Sequence, residues 1–315
     1  HRDLHSFPTR RSSDLHAEAI ARGESLKVSV FVGGAPSMAV AAVMPLPEGL
    51  PELSFAGLLA GRRIDMICRP DRLPLPAEAD FVITFGGDGT MLAAIQATLP
   101  FDTPVLGVNL GKLGFLADVG ADEALWAIEQ ILESRHTVER RMTLTGRIGG
   151  TGQEFHALND IVVGKSGTAR VISIDAYVNG DFLASFLADG IIISTPTGST
   201  AYSLATGGPV VVPSSEVIVI SPISAHTLTA RPVIVAGTSN ITICASTEEG
   251  TLMVMNDGQS VLRDTLSVDM EISRGRHSVA LIKNLGPNYF ETLRAKLGWG
   301  QDGRFHGGSS IRSPH

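Results

Sequence analysis

Phe81-Val82-Ile83-Thr84-Phe85-Gly86-Gly87-Asp88-Gly89-Thr90-Met91-Leu92-Ala93-Ala94 is the stretch on which the reading of this chain turns. Five strand-forming residues run into a glycine-rich corner, and an apolar-periodic helix pattern over 90–98 leaves it. The corner sets one carboxylate, Asp88, at the end of a buried strand. Gly86, Gly87 and Gly89 carry no Cβ, so the backbone can turn tightly and a substrate can come close. Turn amides and the first turn of a helix attract phosphate. An acid beside a phosphate cradle suits phosphoryl transfer, in which it orients or deprotonates a hydroxyl or holds a metal. The stretch is neither a Walker loop nor G-x-G-x-x-G. The same residues also fit an ordinary strand-to-helix turn in which Asp88 is a cap.

Outward from this corner, Leu26–Val32 and Arg63–Cys68 read as strands, and Pro104–Asn109 reads as a further buried strand. A helix over 121–134 is expected, with Leu125, Ile128, Ile131 and Leu132 on one face. A helical start at 38–44 is broken by Pro45, Pro47 and Pro51, a second helical stretch fits 52–60, and Pro70, Pro74 and Pro76 make a loop. Strands alternating with helices predict a Rossmann-like, doubly wound parallel sheet. Ligands of such sheets sit at the carboxyl ends of the strands, where Asp88 and Asn109 both fall.

Past about residue 138 the texture changes. Strand-like runs at 143–148, 161–163, 171–178, 191–194, 217–220, 241–245 and 265–272 follow one another, separated by turns such as Asn179-Gly180-Asp181. This pattern predicts an antiparallel β-sandwich, followed by a helix over 289–297. The expected division is a leader over 1–25 outside the fold, an α/β domain over 26–138, a β-sandwich over 139–284, a closing helix in 285–298 and a disordered tail over 299–315. The string His1–Leu15 also resembles translated adapter sequence and is set aside.

Composition excludes several classes. A net charge of −7 argues against a general nucleic-acid or anionic-membrane surface. The longest apolar candidate, 35–46, is too short to span a bilayer. Cys68 and Cys244 are the two cysteines, distant and in no C-x-x-C context. They support neither a disulfide framework nor a zinc site, and fit buried thiols in a reducing cytoplasm.

The densest polar cluster reads Asp189-Gly190-Ile191-Ile192-Ile193-Ser194-Thr195-Pro196-Thr197-Gly198-Ser199-Thr200-Ala201-Tyr202-Ser203. A strand again opens into small hydroxyl residues, which could hydrogen-bond a ribose, an amide and phosphates, or simply cap a helix. Together with Gly86-Gly87-Asp88-Gly89-Thr90, Asn109 through Leu116, Ala157-Leu158-Asn159-Asp160, Pro222 through Leu228 and Asp257-Gly258-Gln259, this cluster resembles the NAD kinase family over roughly 79–298, in the family's order. The first glycine motif is shared with lipid kinases; the Thr-Pro-Thr-Gly-Ser-Thr-Ala-Tyr-Ser block is far more specific.

The resemblance implies an NAD kinase/diacylglycerol kinase-like fold. It implies transfer of the terminal phosphoryl of ATP, or of polyphosphate, to the 2′-hydroxyl of the adenosine ribose of NAD, giving NADP. It also implies a divalent metal such as Mg²⁺, with ligands unassigned, and a homodimer or homotetramer. By position, Asp88 matches the catalytic acid, and Gly86, Gly87, Gly89 and Thr90 the phosphate loop. Asn159 and Asp160 match the Asn-acid pair that holds NAD, where the family more often has Glu second. Asp189, Thr197, Thr200, Ala201 and Tyr202 match positions lining the dinucleotide pocket. Lys112 and His226 fall near the site without an assigned role, one of Arg140 and Arg141 reads as an interdomain ion pair, and Asp257-Gly258 reads as a hairpin turn. Two other readings stand beside this one. A lipid kinase would need an apolar acyl pocket in place of the hydroxyl-rich run, and a non-catalytic dinucleotide sensor would not need Asp88.

Overall fold

The computed structural model describes residues 26–32, 64–67, 79–167, 171–283 and 285–299. The readings made on the leader, on 33–63, on Cys68, on the proline loop and on the tail from 301 lie outside them. Two compact units divide the chain. The first takes residues up to 94, then 105–138 and those from 282 onward; the second takes 95–104 and 139–281.

The first unit is built on a seven-stranded sheet in the order β2 (Ile64–Ile67), β1 (Leu26–Val32), β3 (Phe81–Gly86), β4 (Val105–Asn109), β19 (Val279–Lys283), β6 (Thr137–Arg141), with β5 (Val119–Gly120) beside β4. The strands β2, β1, β3, β4 and β5 pair in parallel. Phe81 through Phe85 are each 1–3% exposed, so both faces of β3 are covered. That is why this run is apolar at every position but Thr84, whose buried hydroxyl donates to Leu106 O, instead of alternating. Phe81, Ile83 and Phe85 share a core with Leu106, Val108, Ile128, Ile131, Ile282 and Leu285. The helix expected over 121–134 is a 3-10 turn, Ala121–Glu123, followed by an α-helix, Ala124–Leu132. Its buried stripe is Ala124, Ala127, Ile128 and Ile131, an i, i+3, i+4, i+7 set. Leu125 is only half-buried, because the stripe runs through the two alanines, which allow close packing on the sheet. The closing helix, Tyr289–Leu297, starts with a capping box between Asn288 and Glu291 and ends on left-handed Gly298.

The second unit is a sandwich of two six-stranded antiparallel sheets. One runs β11 (Asp181–Ala188), β10 (Ile172–Val178), β15 (Ile241–Ser246), β18 (Ser267–Arg274), β7 (Leu144–Ile148), β8 (Glu154–Ala157). The other runs β14 (Val233–Ala236), β13 (Val217–Ile223), β12 (Gly190–Ser194), β9 (Asp160–Ser166), β16 (Thr251–Asn256), β17 (Gln259–Thr265). Alternate residues of both sheets, among them Ile172, Ile174, Ile241, Ile243, Met270 and Ile272 from the first and Ile161, Val163, Ile191, Ile193, Ile218 and Ile220 from the second, meet in one core. The single run expected at 265–272 is Thr265, the last residue of β17, and then most of β18, separated by a bend at Leu266. Cys244 on β15 is a free, half-buried thiol whose pKa is pushed up by burial and by Asp269. Among the described residues no helix is long and apolar enough to cross a membrane.

Candidate active site

In the first unit, β3 ends at Gly86 and the helix Asp88–Thr98 begins two residues later. Gly87 and Gly89 are exposed, and a side chain at either would meet only open space. The corner thus presents bare backbone beside a half-buried acid. Asp88 is not idle there. Its Oδ1 accepts the amides of Leu116 at 3.0 Å and Ala117 at 3.1 Å, and its Oδ2 accepts that of Phe115 at 2.9 Å. Three of the four lone pairs of the carboxylate are engaged, leaving one on Oδ2.

Asn109, at the end of β4, shapes the same loop from below. Its amide donates to the carbonyls of Lys112 (2.8 Å) and Ala117 (3.1 Å), and its Oδ1 accepts from Gly111 (2.7 Å). Gly114 is required where the loop passes Asp88, since a Cβ there would lie 1.9 Å from Asp88 Oδ1. Behind the loop, Lys283 Nζ donates to Leu116 O at 3.1 Å and pairs with Asp118 at 2.6 Å, both side chains buried. Lys112 itself is exposed.

In the second unit, a second carboxylate repeats the device. Asp257 Oδ1 accepts the amides of Asn159 (2.7 Å) and Asp160 (3.1 Å), and Oδ2 accepts that of Leu158 (2.8 Å) and Gln96 Nε2 (3.3 Å). Asp257 sits at φ 47°, in the left-handed region that Asp tolerates better than most residues. The turn that reads as a plain hairpin is therefore the clamp of the Asn159–Asp160 loop. Asp160 is 5% exposed, and burial, with Asp257 nearby, pushes its carboxyl up to about 7. Burial also raises Asp257, against the pull of its three amides and Gln96.

The hydroxyl-rich run closes on this loop. Thr195 N–H donates to Asn159 O at 2.9 Å, and Thr195 Oγ1 donates to Leu158 O at 2.5 Å. A Cβ on Gly198 would lie 2.1 Å from Asn159 O, so the 3-10 turn Thr197–Thr200 can pack against the loop only with glycine there. Ser194, Thr195, Ser199 and Ser203 are fully buried and spend their hydroxyls on the protein. Thr200 and Ala201 are half-buried and Tyr202 is 44% exposed, so these face outward.

The structure thus gathers Asn159, Asp160, Thr197, Thr200, Ala201 and Tyr202 in the second unit, and Asp88 with Gly86, Gly87, Gly89 and Thr90 in the first. Asp189 stands apart. It precedes β12 whereas Ser194 ends it, about 16 Å along a strand. Asp189 is paired with Lys165 at 2.7 Å. His226 is exposed. Arg140 pairs with Asp102 and Arg141 with Glu139; the two compact units put all four residues in the second, whereas a division at 138/139 leaves Asp102 in the first and makes Arg140–Asp102 the pair that crosses it. Sequence reasoning missed Asp257 and Lys283. Lys283 left a signal, as the lone cation closing the buried run Val279-Ala280-Leu281-Ile282.

The first unit is thus a parallel α/β unit with an acid at its glycine corner, and the second is a β-sandwich. Two solved structures share this fold. The yeast NADH kinase complexed with NADH has a TM-score of 0.70 at 23% identity, covering 92% of this chain and 91% of that one. An NAD kinase from Archaeoglobus fulgidus in complex with ATP has a TM-score of 0.69 at 23% identity, covering 86% and 99%. The chain belongs to the NAD kinase family. The ATP-NAD kinase N-terminal domain model matches residues 73–136 and the C-terminal domain model matches 158–284. It is 42% identical over 224 residues to an NAD kinase of Thermoanaerobacter sp. (strain X514), covering 70% of this chain and 79% of that one. Identity to an NAD kinase of Geobacter sulfurreducens is 40% over 230 residues, with 72% and 81% covered. A 3-octaprenyl-4-hydroxybenzoate carboxy-lyase Rift-related domain model also matches residues 4–89. The three strands described in that stretch pair in parallel within the first sheet.

Proposed function

We propose that this protein is an NAD kinase that moves the terminal phosphoryl of ATP, or of polyphosphate, to the 2′-hydroxyl of the adenosine ribose of NAD. The observation that carries this reading is Asp88, held beside an open glycine corner with one lone pair of Oδ2 uncommitted. That lone pair accepts the 2′-hydroxyl proton as the oxygen attacks. The amides of the corner, with Gly86, Gly87, Gly89 and Thr90, hold phosphate oxygens.

Asn159 and Asp160 bind the dinucleotide, Asp160 by accepting from ribose hydroxyls, while Thr197, Thr200, Ala201 and Tyr202 line its pocket. Asp189 reaches the same ligand only if the dinucleotide extends along β12. Among the described residues no group of three or more His, Cys, Asp or Glu side chains could hold a metal ion. A bound Mg²⁺ would have Asp88 as the acid available at the glycine corner, with substrate phosphate oxygens and water to complete its ligands. When bound, the metal neutralises phosphate charge.

The expected protein is a cytoplasmic homodimer or homotetramer. Its proposed division is an α/β domain over 26–138, a sandwich over 139–284 and a closing helix in 285–298. The contacts of Tyr289 (6.3 Å between ring centroids) and Lys296 (5.2 Å to the ring) with Phe115 support the place of that helix. The test is NADP formation measured with ATP and polyphosphate as donors and NAD and NADH as acceptors. Absence of NADP with every pair would overturn the reading.

A further inference from the structure

Apart from the sites above, the second unit carries a cleft of about 250 Å³ where residues 140–142, 213–216 and 274–278 come together. Its walls hold Arg140, Arg141, Arg274, Arg276 and His277 against one acid, Glu216. In a chain of net charge −7 this is a local inversion of sign. Ser214, Ser215 and Ser278 add hydroxyls to the lining.

The cations differ in how firmly they are committed. Arg274 pairs with Glu216 at 2.7 Å, but the side chains are 41% and 65% exposed. Arg140 pairs with Asp102 equally in the open. Exposed pairs of this kind contribute little and open readily. Arg276 makes no ion pair among the described residues. Arg141 is 7% exposed, and its guanidinium, with five donors, bonds a single acid, Glu139, which itself faces solvent. A buried cation, one that makes no ion pair among the described residues and two that trade weak partners suit an anion with several oxygens, because guanidinium groups bind phosphate bidentately.

We propose that this cleft is a second anion site, which takes a small phosphorylated molecule through Arg141, Arg274 and Arg276. Its ligand is the size of a pyrophosphate group, free or at the end of a nucleotide. The proposal is independent of the phosphate corner at Asp88.

The probe is inorganic pyrophosphate, titrated calorimetrically into the full chain, with Arg274→Gln/Arg276→Gln as the variant. Both side chains are exposed, and an unchanged Tm checks that the variant is folded. The expected result is that the variant binds pyrophosphate roughly ten- to a hundredfold more weakly while its KM values for ATP and NAD stay at wild-type levels. A parallel titration with ADP identifies the source: tighter binding than pyrophosphate points to a nucleotide, weaker binding to an inorganic ligand. A variant that titrates like the wild type places the binding at the catalytic phosphate corner and overturns the proposal. So does a wild-type protein that takes up no pyrophosphate at millimolar concentration.

Discussion

Asp88 and Asp257 perform the same mechanical task in different units, each gathering three consecutive main-chain amides with one carboxylate. For Asp88 this makes Asp88→Asn a sharper experiment than a change of base alone. The asparagine oxygen can keep two of the amides, but its NH₂ then faces the third donor, at a cost of about 1–3 kcal/mol of stability. The amide is also no base, so kcat should fall by roughly 10²–10⁴-fold, and added Mg²⁺ should not restore it. A near-wild-type kcat would remove Asp88 from the chemistry.

Asp160 carries a pH dependence of opposite sign for folding and for binding. Its carboxyl is raised from 3.8 to about 7, so between those values the folded protein holds a proton that the unfolded chain has lost. Stability from this group is full below pH 4 and falls as pH rises to 7, by up to roughly 4 kcal/mol. If the ionised form accepts from ribose, KM for NAD should fall over the upper part of the same window. Denaturation and NAD kinetics at pH 5, 6, 7 and 8 should show both slopes in the wild type; in Asp160→Asn the NAD slope should vanish and the stability slope shrink to what Asp257, also raised by burial, contributes. The candidate residues of the site were legible as candidates because they stand in short, ordered motifs. Asp257 was not, because an acid before a glycine reads as a turn whether or not its side chain clamps a loop 97 to 99 positions away.

At the scale of elements, the glycines separate positions that look alike in sequence. Gly111 and Gly114 lie three apart in one loop, yet a Cβ at Gly111 meets nothing within 4 Å and one at Gly114 strikes Asp88. Gly111→Ala should be silent in kcat. Gly114→Ala should displace the Phe115–Ala117 amides, lowering both Tm and kcat; equal behaviour of the two would show that the clamp does not matter. The buried strands and the helices were readable from apolar runs and from helical spacing. The strands Thr137–Arg141, Glu154–Ala157, Asp181–Ala188 and Gln259–Thr265 were not, since each is mostly exposed or half-buried and carries polar residues that also suit loops. Their identity is fixed by their sheet neighbours and not by their own composition.

For the whole molecule, the telling pair is Lys283–Asp118, which joins the last strand to the loop behind Asp88. Lys283→Met should cost about 3–5 kcal/mol, because it strands a buried carboxylate; Lys283→Met with Asp118→Leu should recover most of it. Chemical denaturation of the single and double variants measures both, and a double variant no better than the single one would show that the pair is not a coupled unit. The same strand makes the first unit discontinuous: its core takes Phe81, Ile83 and Phe85 from early in the chain and Ile282 and Leu285 from beyond the sandwich. Translation runs in one direction, so a nascent chain must store the phosphate corner unfinished while some 140 residues of sandwich are made. The corner is written early and completed late, and a ribosome that stalls within the sandwich releases a chain whose first unit has never been closed.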